Sequence, residues 1–424
     1  MDAVDRALSS LDVETARHAE DAADRLFGPP GDRMPVEMLT RLELQDFLWS
    51  KLPTRWLSPE PQHHEIAWAL GDLLELLGLP AYAALCRERR THEILAAWNR
   101  DDTAGELAAL EAVDASGVVP PDTPTLTFGD AMAGGELRVY LELSAAIEAA
   151  IDAGRITPGA PSFDADRIRV TEEFWRQGSA LTVVRRDRAA TWAMGFRADP
   201  DWLAPALPVL ERAWEMPENV ELSLVSARAL LEKLGVGLAL TPSGYLPPAT
   251  AVELNDRFRW VDVVGKPPRR EADLPQLTVL REHLTQQGLL NVRRGVVSTT
   301  AAGAACLTND ELFWSRITDL QPRWDEFARE VIAVSAALLL MSPDAERDDL
   351  SAEVARMIQH RWKGGGDFER DVHWCYIDWY RVGFALGWWE ARRGRWLDRL
   401  SPRGVGAAAR GFWSVAAAPP VYDL

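Results

Sequence analysis

The stretch LPQLTVLREHLTQQGLLNVRRGVVSTTAAG, residues 274–303, decides how this chain is read. Residues 274–287 read as a helix, and Gly288 stops it, because glycine enters a left-handed helix end at little cost. Residues 289–292 read as a strand, Arg293-Arg294-Gly295 as a turn and 296–299 as the returning strand. A helix followed by a small β-hairpin results. Upstream, residues 249–258 supply an earlier helix, joined to the first by a loop, 259–273, that is long for a minimal helix-turn-helix. Two helices and a hairpin in this order make the winged-helix plan, in which the second helix can enter a DNA major groove and the hairpin can touch the backbone.

The hairpin ends in a short string that recurs. Thr241-Pro242-Ser243-Gly244, Thr300-Ala301-Ala302-Gly303 and Ser401-Pro402-Arg403-Gly404 each set a hydroxyl residue three places before a glycine, after a possible short strand. Before the third, Arg392-Arg393-Gly394 again stands between a helix ending near Glu390 and an extended run, 396–400, so the same order of elements returns about a hundred residues later. Three of these passages, GLALTPSGYL (237–246), KPPRREADL (266–274) and GLLNVRRGVVSTTAAG (288–303), carry a resemblance. In them the chain resembles an uncharacterised actinobacterial family of insertion-element passengers and plasmid open-reading-frame associated proteins, over roughly residues 220–310. The resemblance implies winged-helix-like modules and no particular reaction. The serine or tyrosine site that a resolvase would need is not found.

Outside this region the periodicity is helical. Ile66, Leu70, Leu73, Leu74 and Leu77 form one stripe of a 3.6-residue helix over 62–78, closed by Gly78 and Pro80. Similar patterns over 4–27, 35–49, 81–98 and 103–115 give a helical N-terminal module, 1–118. Pro120, Pro121 and Pro124 mark 118–130 as a linker. A helical or mixed module follows over 131–219, with a helix at 136–153, then the winged-helix-like module over 220–310. A helical C-terminal module, 311–424, has a possible second winged-helix-like element. In it Thr308 and Glu311 form an expected capping box, 311–341 reads as one long or two broken helices, and 372–392 reads as the final helix after a Gly364-Gly365-Gly366 break. The fold class is mainly α: a helical multi-module protein with winged-helix-like β-hairpins.

Composition bounds the function. The formal charge of −18 excludes a diffuse grip on phosphate backbones or acidic membranes by the whole molecule. The longest apolar run, 331–341, is half the roughly 20 residues a membrane span needs. The opening MDAVDRALSS lacks a basic stretch followed by an apolar one, so the expected location is cytoplasmic. Cys86, Cys306 and Cys375 stand apart, which suits isolated core thiols. The 18 tryptophans read as helix-packing anchors. Against this acidic background, residues 256–295 carry Arg257, Arg259, Lys266, Arg269, Arg270, Arg281, Arg293 and Arg294 against Asp256, Asp262, Glu271, Asp273 and Glu282, a local charge of +3. Guanidinium forks match phosphate oxygens, and acids of neighbouring helices would satisfy them equally.

No other constellation completes a known chemistry. His63-His64-Glu65 and His92-Glu93 begin like a zincin helix, but Trp68 and Ala96 stand where the second histidine belongs. Asp371, His373 and Cys375 would share a face only on a strand, and their aromatic neighbours favour a helix. The run Lys363-Gly364-Gly365-Gly366-Asp367 lacks the order of a phosphate loop. Gly383 and Gly387 suit close helix packing. The sequence therefore points to a non-enzymatic binding or regulatory protein, without cofactor or metal, that meets a protein partner or, locally, a nucleic acid. Lys266, Arg269, Arg270, Arg293 and Arg294 are the candidate phosphate contacts. The alternatives are a purely structural interaction module and an enzyme whose site would be sought near His373.

Overall fold

Side-chain caps such as Asp12, Thr40, Asp101, Thr300, Asp325 and Ser401 start several of the helices, and glycines such as Gly28 and Gly117 follow the ends of others. The computed structural model describes residues 2–55, 61–129, 131–199, 201–214, 217–260, 267–362, 367–392 and 395–419, with backbone alone for Pro61, 391–392 and 395–398. Among them the chain is mainly helical with two small antiparallel sheets. No described helix is long and apolar enough to cross a membrane. The chain divides into two compact units between Val184 and Arg185.

In the first unit the expected 4–27 helix is two, Ala3–Leu8 and Val13–Phe27. The Asp12 carboxylate accepts the amides of Glu14 and Thr15, both at 3.1 Å, and so starts a second helix where one would otherwise continue. Thr40 and Glu43 form a capping box on Arg41–Asp46, and Pro61–Leu76, Pro80–Arg87, Arg89–Trp98 and Asp102–Ser116 follow. One apolar cluster, running from Val4 to Ala112, holds these helices together. Its tryptophans are anchored at both ends: Trp49 Nε1 donates to Thr91 Oγ1 at 2.8 Å and Trp98 Nε1 to the Trp49 carbonyl at 2.8 Å. A second cluster, from Leu126 to Val184, forms around Gly134–Asp152 and Phe163–Trp175. Residues 118–129 run irregularly between the two clusters. They are tied down, since Val118 is buried and its carbonyl accepts from Ser144 Oγ at 2.9 Å.

The second unit is built from two runs of elements with matching joints. The first run is Glu221–Leu234, strand β1 (Leu238–Ala239), Pro248–Phe258, Pro275–Gln286, strands β2 (Leu290–Arg293) and β3 (Val296–Thr299), then Ala301–Cys306. Its sheet has the order β1-β3-β2, with Leu238 opposite Val297 and Val292 opposite Val297. The second run is Glu326–Met341, Arg347–Ile358, Phe368–Ala385, strands β4 (Trp389–Arg392) and β5 (Arg395–Leu400), then Pro402–Ala416. Between the runs lies Asp310–Thr318.

At the end of the third helix of each run a glycine turns left-handed, Gly288 at φ +70° and Gly387 at +72°. The next residue donates back into that helix, Leu289 to Leu284 at 2.9 Å and Trp388 to Gly383 at 2.8 Å, and its carbonyl accepts from Thr300 N (3.0 Å) or Ser401 N (2.8 Å). Each of these hydroxyl residues then caps the following helix by accepting from the amide three places on, Gly303 (3.0 Å) or Gly404 (3.2 Å). A Cβ on Gly303 would lie 2.4 Å from the Leu289 oxygen, and one on Gly404 would lie 2.0 Å from the Trp388 oxygen. Two of the three recurring strings therefore mark one joint. The third, Thr241 to Gly244, is a turn closed by Gly244 N to the Thr241 carbonyl at 2.8 Å, and it begins no helix.

Two local expectations change, and of the two alternatives for 311–341 one is found. Asn309, not Thr308, caps Asp310–Thr318, accepting from Leu312 N at 2.9 Å, while Thr308 Oγ1 donates to the Ala305 carbonyl. Residues 311–341 form two helices, because Asp325 accepts from Ala328 N at 2.9 Å and starts Glu326–Met341 afresh. The expected 372–392 helix stops at Ala385, and its last residues pair as β4, while Pro402–Ala416 is an additional helix. Gly383 is required by the tryptophans that follow it, since a Cβ there would lie 2.6 Å from Trp389 Nε1 and 2.9 Å from the Trp388 ring. One apolar cluster, from Phe196 to Ala408, joins the two runs.

Candidate functional site

The hairpin of β2 and β3 turns on two residues. Arg293 pairs with Val296, leaving Arg294 at φ +51° and Gly295 at φ +74°. Positive φ at both central positions is the type I′ geometry, whose twist matches the strands it joins. Gly295 supplies it freely. At Arg294 the conformation costs roughly 1 kcal/mol, since a side chain opposes it. The Gly295 carbonyl accepts from Leu240 N at 2.7 Å, tying the tip to the segment that continues β1. Both arginines are exposed, and neither makes an ion pair or hydrogen bond through its side chain to another described residue.

The rest of the basic segment is distributed differently. Lys266 lies outside the described residues. Arg269 and Arg270 are exposed at a short 3₁₀ turn, Glu271–Asp273. Asp273 accepts from Arg269 N at 3.1 Å and from Arg270 Nε at 3.1 Å, and these bonds, the backbone one first, hold its carboxyl below the usual range. Arg281 is committed to the interior: its Nε donates at 2.8 Å to the fully buried Glu271 carboxylate, which also accepts from Leu246 N at 2.6 Å. Arg257 lies over the Phe258 ring, 5.1 Å from its centroid. Among the described residues Arg269, Arg293 and Arg294 thus have no partner for their guanidiniums. No hydrogen bond or ion pair between described residues joins the 269–270 turn to the hairpin tip.

The Pro275–Gln286 helix has little surface to offer. Leu277, Leu280, His283 and Leu284 are buried, and its exposed side chains are Pro275, Glu282 and Gln286. It packs against its positional counterpart in the second run, Phe368–Ala385. Arg323 joins the two helices, donating to Gln286 Oε1 at 2.6 Å and to both oxygens of Asp378 at 3.0 and 2.8 Å. His283 donates through Nε2 to the Ile317 carbonyl, 2.9 Å away, and complete burial drives its pKa down to about 4.

The motifs set aside in the sequence meet different fates. His64 and His92 come together across 28 residues, with Nδ1 atoms 2.8 Å apart and rings stacked at 5.1 Å, and the Trp68 ring stacks on His92 at 5.8 Å. Burial, then His64, lowers the His92 pKa. Neither fragment shows this alone, because the contact joins two helices. His373 lies 3.3 Å from Ser351 Oγ and 3.8 Å from Asp348, while burial and then Asp325, Asp378 and Asp371 push the Cys375 thiol up to about 12. That thiol stays protonated and unreactive. Among the described residues no group of three or more His, Cys, Asp and Glu side chains could hold a metal ion. The glycine run at 363–366 lies outside the described residues. No family model, curated protein or solved structure matches the chain, so its functional reading rests on its own geometry.

Proposed function

We propose that the chain is a non-enzymatic binding protein that carries winged-helix-like modules in tandem and meets a protein partner through the hairpin tip at Arg293 and Arg294. The observation that carries this reading is the tip itself: two guanidiniums, exposed and without ionic partners among the described residues, on a turn held by backbone pairing. Arg281 and Arg323, by contrast, are each held by a carboxylate. Arg294 occupies a left-handed position that glycine or asparagine fills with less strain, and strain kept at an exposed charged residue suits a contact role. The partner surface is an acidic segment, which pairs with guanidinium forks. Arg269 extends the same chemistry, and Lys266 and Arg270 are assigned with it.

A protein partner is favoured over duplex DNA on two grounds. The helix that would enter a groove is packed on its counterpart and exposes Glu282. A formal charge of −18 also opposes the dense, continuous charge of a nucleic-acid backbone more than it opposes a short acidic segment. A local phosphate contact with nucleic acid is the second reading, supported by the same free arginines. The test uses the full chain and the double variant Arg293→Ala/Arg294→Ala as baits in extract of the source organism. The proposal expects a stoichiometric protein retained by the wild type and released by salt or by the double variant. Equal recovery on both baits would sink it. Retention of nucleic acid, with an affinity that falls steeply with salt and drops further in the variant, would establish the second reading instead.

A further inference from the structure

The second unit contains a cleft of about 570 Å³ that the hairpin does not touch. We infer that this cleft binds a small molecule combining a flat ring with an acidic group. Its volume lies in the range of small-ligand sites, roughly 300–1,000 Å³. One wall comes from the Glu326–Met341 helix, which presents Glu326, Arg329 and Glu330 at spacings of three and four, hence on one face. Trp192, Arg361 and Trp362 come from elsewhere in the unit.

These groups divide into a fixed frame and an unfilled position. Glu330 is buried, 5 % exposed, and its Oε1 lies 3.1 Å from Arg361 Nε and accepts from Trp362 Nε1 at 3.1 Å. This pair neutralises Arg361 and sets the Trp362 ring, which the Phe327 edge also braces at 5.3 Å. Trp192 is braced by Phe196 at 4.5 Å and Phe412 at 5.5 Å. Two rigid indoles therefore border the cleft, and indole faces favour a flat ring. Arg329 is the unfilled position. Its guanidinium makes no ion pair or hydrogen bond to a described residue, and its Nε is buried without an acceptor. A carboxylate or phosphate oxygen supplies what that fork lacks. The carboxylate of Glu326, one turn away and without an ionic partner among the described residues, limits the site to ligands of small negative charge.

Carboxylate and phosphate head groups share this chemistry, and the probes separate them. The full chain is titrated by calorimetry with indole-3-acetate, with adenosine monophosphate and with the uncharged indole-3-acetamide. The expected result is saturable binding of one or both acids with a dissociation constant below about 1 mM. The amide should bind at least about tenfold more weakly, since a charge-assisted bond is lost. Arg329→Met should weaken the acid about tenfold or more, and Glu326→Gln, which removes a like charge from an exposed position, should tighten it. Indole-3-acetate alone identifies a carboxylate ligand, and the nucleotide alone a phosphate. Failure of both acids to bind the wild-type chain, or an amide that binds as tightly as the acid, would overturn the assignment. Arg293→Ala should leave these affinities unchanged, which keeps this result separate from the hairpin proposal.

Discussion

His283 shows how one buried side chain links this fold to pH. It is fully buried, its Nε2 bonded to the Ile317 carbonyl and its Nδ1 without a partner, so the neutral ring fits and the charged one does not. Its folded pKa, about 4, lies below the ordinary 6.5. As pH falls the unfolded chain takes up this proton first, so the contribution is fully present above 6.5 and is lost on the way down to about 4. The loss should reach about 3 kcal/mol. Urea unfolding of the wild type and His283→Gln at about pH 7.5 and about pH 5 measures most of it, with the two chains differing in pH dependence by about 2 kcal/mol over that interval. Parallel pH profiles would contradict the burial argument. Composition marks His283 as one of seven histidines. Only the packing of its helix singles it out.

At the scale of elements, the hairpin and its joints make two predictions of opposite sign. Arg294→Asn should stabilise the chain by about 0.5–1 kcal/mol, because asparagine accepts the left-handed turn position more readily, and should at the same time weaken partner binding. A thermal melt and the bait experiment, run on one preparation, check both halves. Gly404→Ala should destabilise by about 1–3 kcal/mol or more, since its methyl meets a backbone oxygen that cannot move aside, and Gly303→Ala should do the same to a similar degree. Gly134→Ala is the contrast. Nothing lies within 4 Å of a Cβ there, and its φ is not left-handed, so the substitution should be neutral or stabilising by up to about 1 kcal/mol. Chemical denaturation ranks the three. These joints were largely legible, because a hydroxyl cap, a glycine three places on and a left-handed helix stop are local devices. The Thr241 string shows the limit, since the same spelling there closes a turn.

At the scale of the whole molecule, each unit has its own apolar clusters. Those of the second unit run from Ala189 to Ala416 and from Phe196 to Ala408. A fragment covering 180–419, which keeps the Ala180–Ala193 helix intact, should therefore fold alone. The expected signature is a helical circular dichroism spectrum, a cooperative melt and buried tryptophan emission, as most of the 18 tryptophans lie in this part. A fragment with a broad, non-cooperative melt would show that its core is incomplete. The same fragment should retain the ring-acid binding proposed for the cleft.

The sequence by itself determined the mainly helical character and the hairpin between Leu290 and Thr299. Both follow from local rules: apolar spacing selects the helix, and an arginine–glycine pair between strand-forming runs selects the turn. The tertiary structure alone decided that Arg281 belongs to buried Glu271, that His64 meets His92, that Pro275–Gln286 packs on Phe368–Ala385, and that Arg329 lines a cleft without an acceptor among the described residues. Periodicity states which face of a helix is apolar, but not which other helix covers it. Pairing between residues far apart in the chain is settled only when those faces pack.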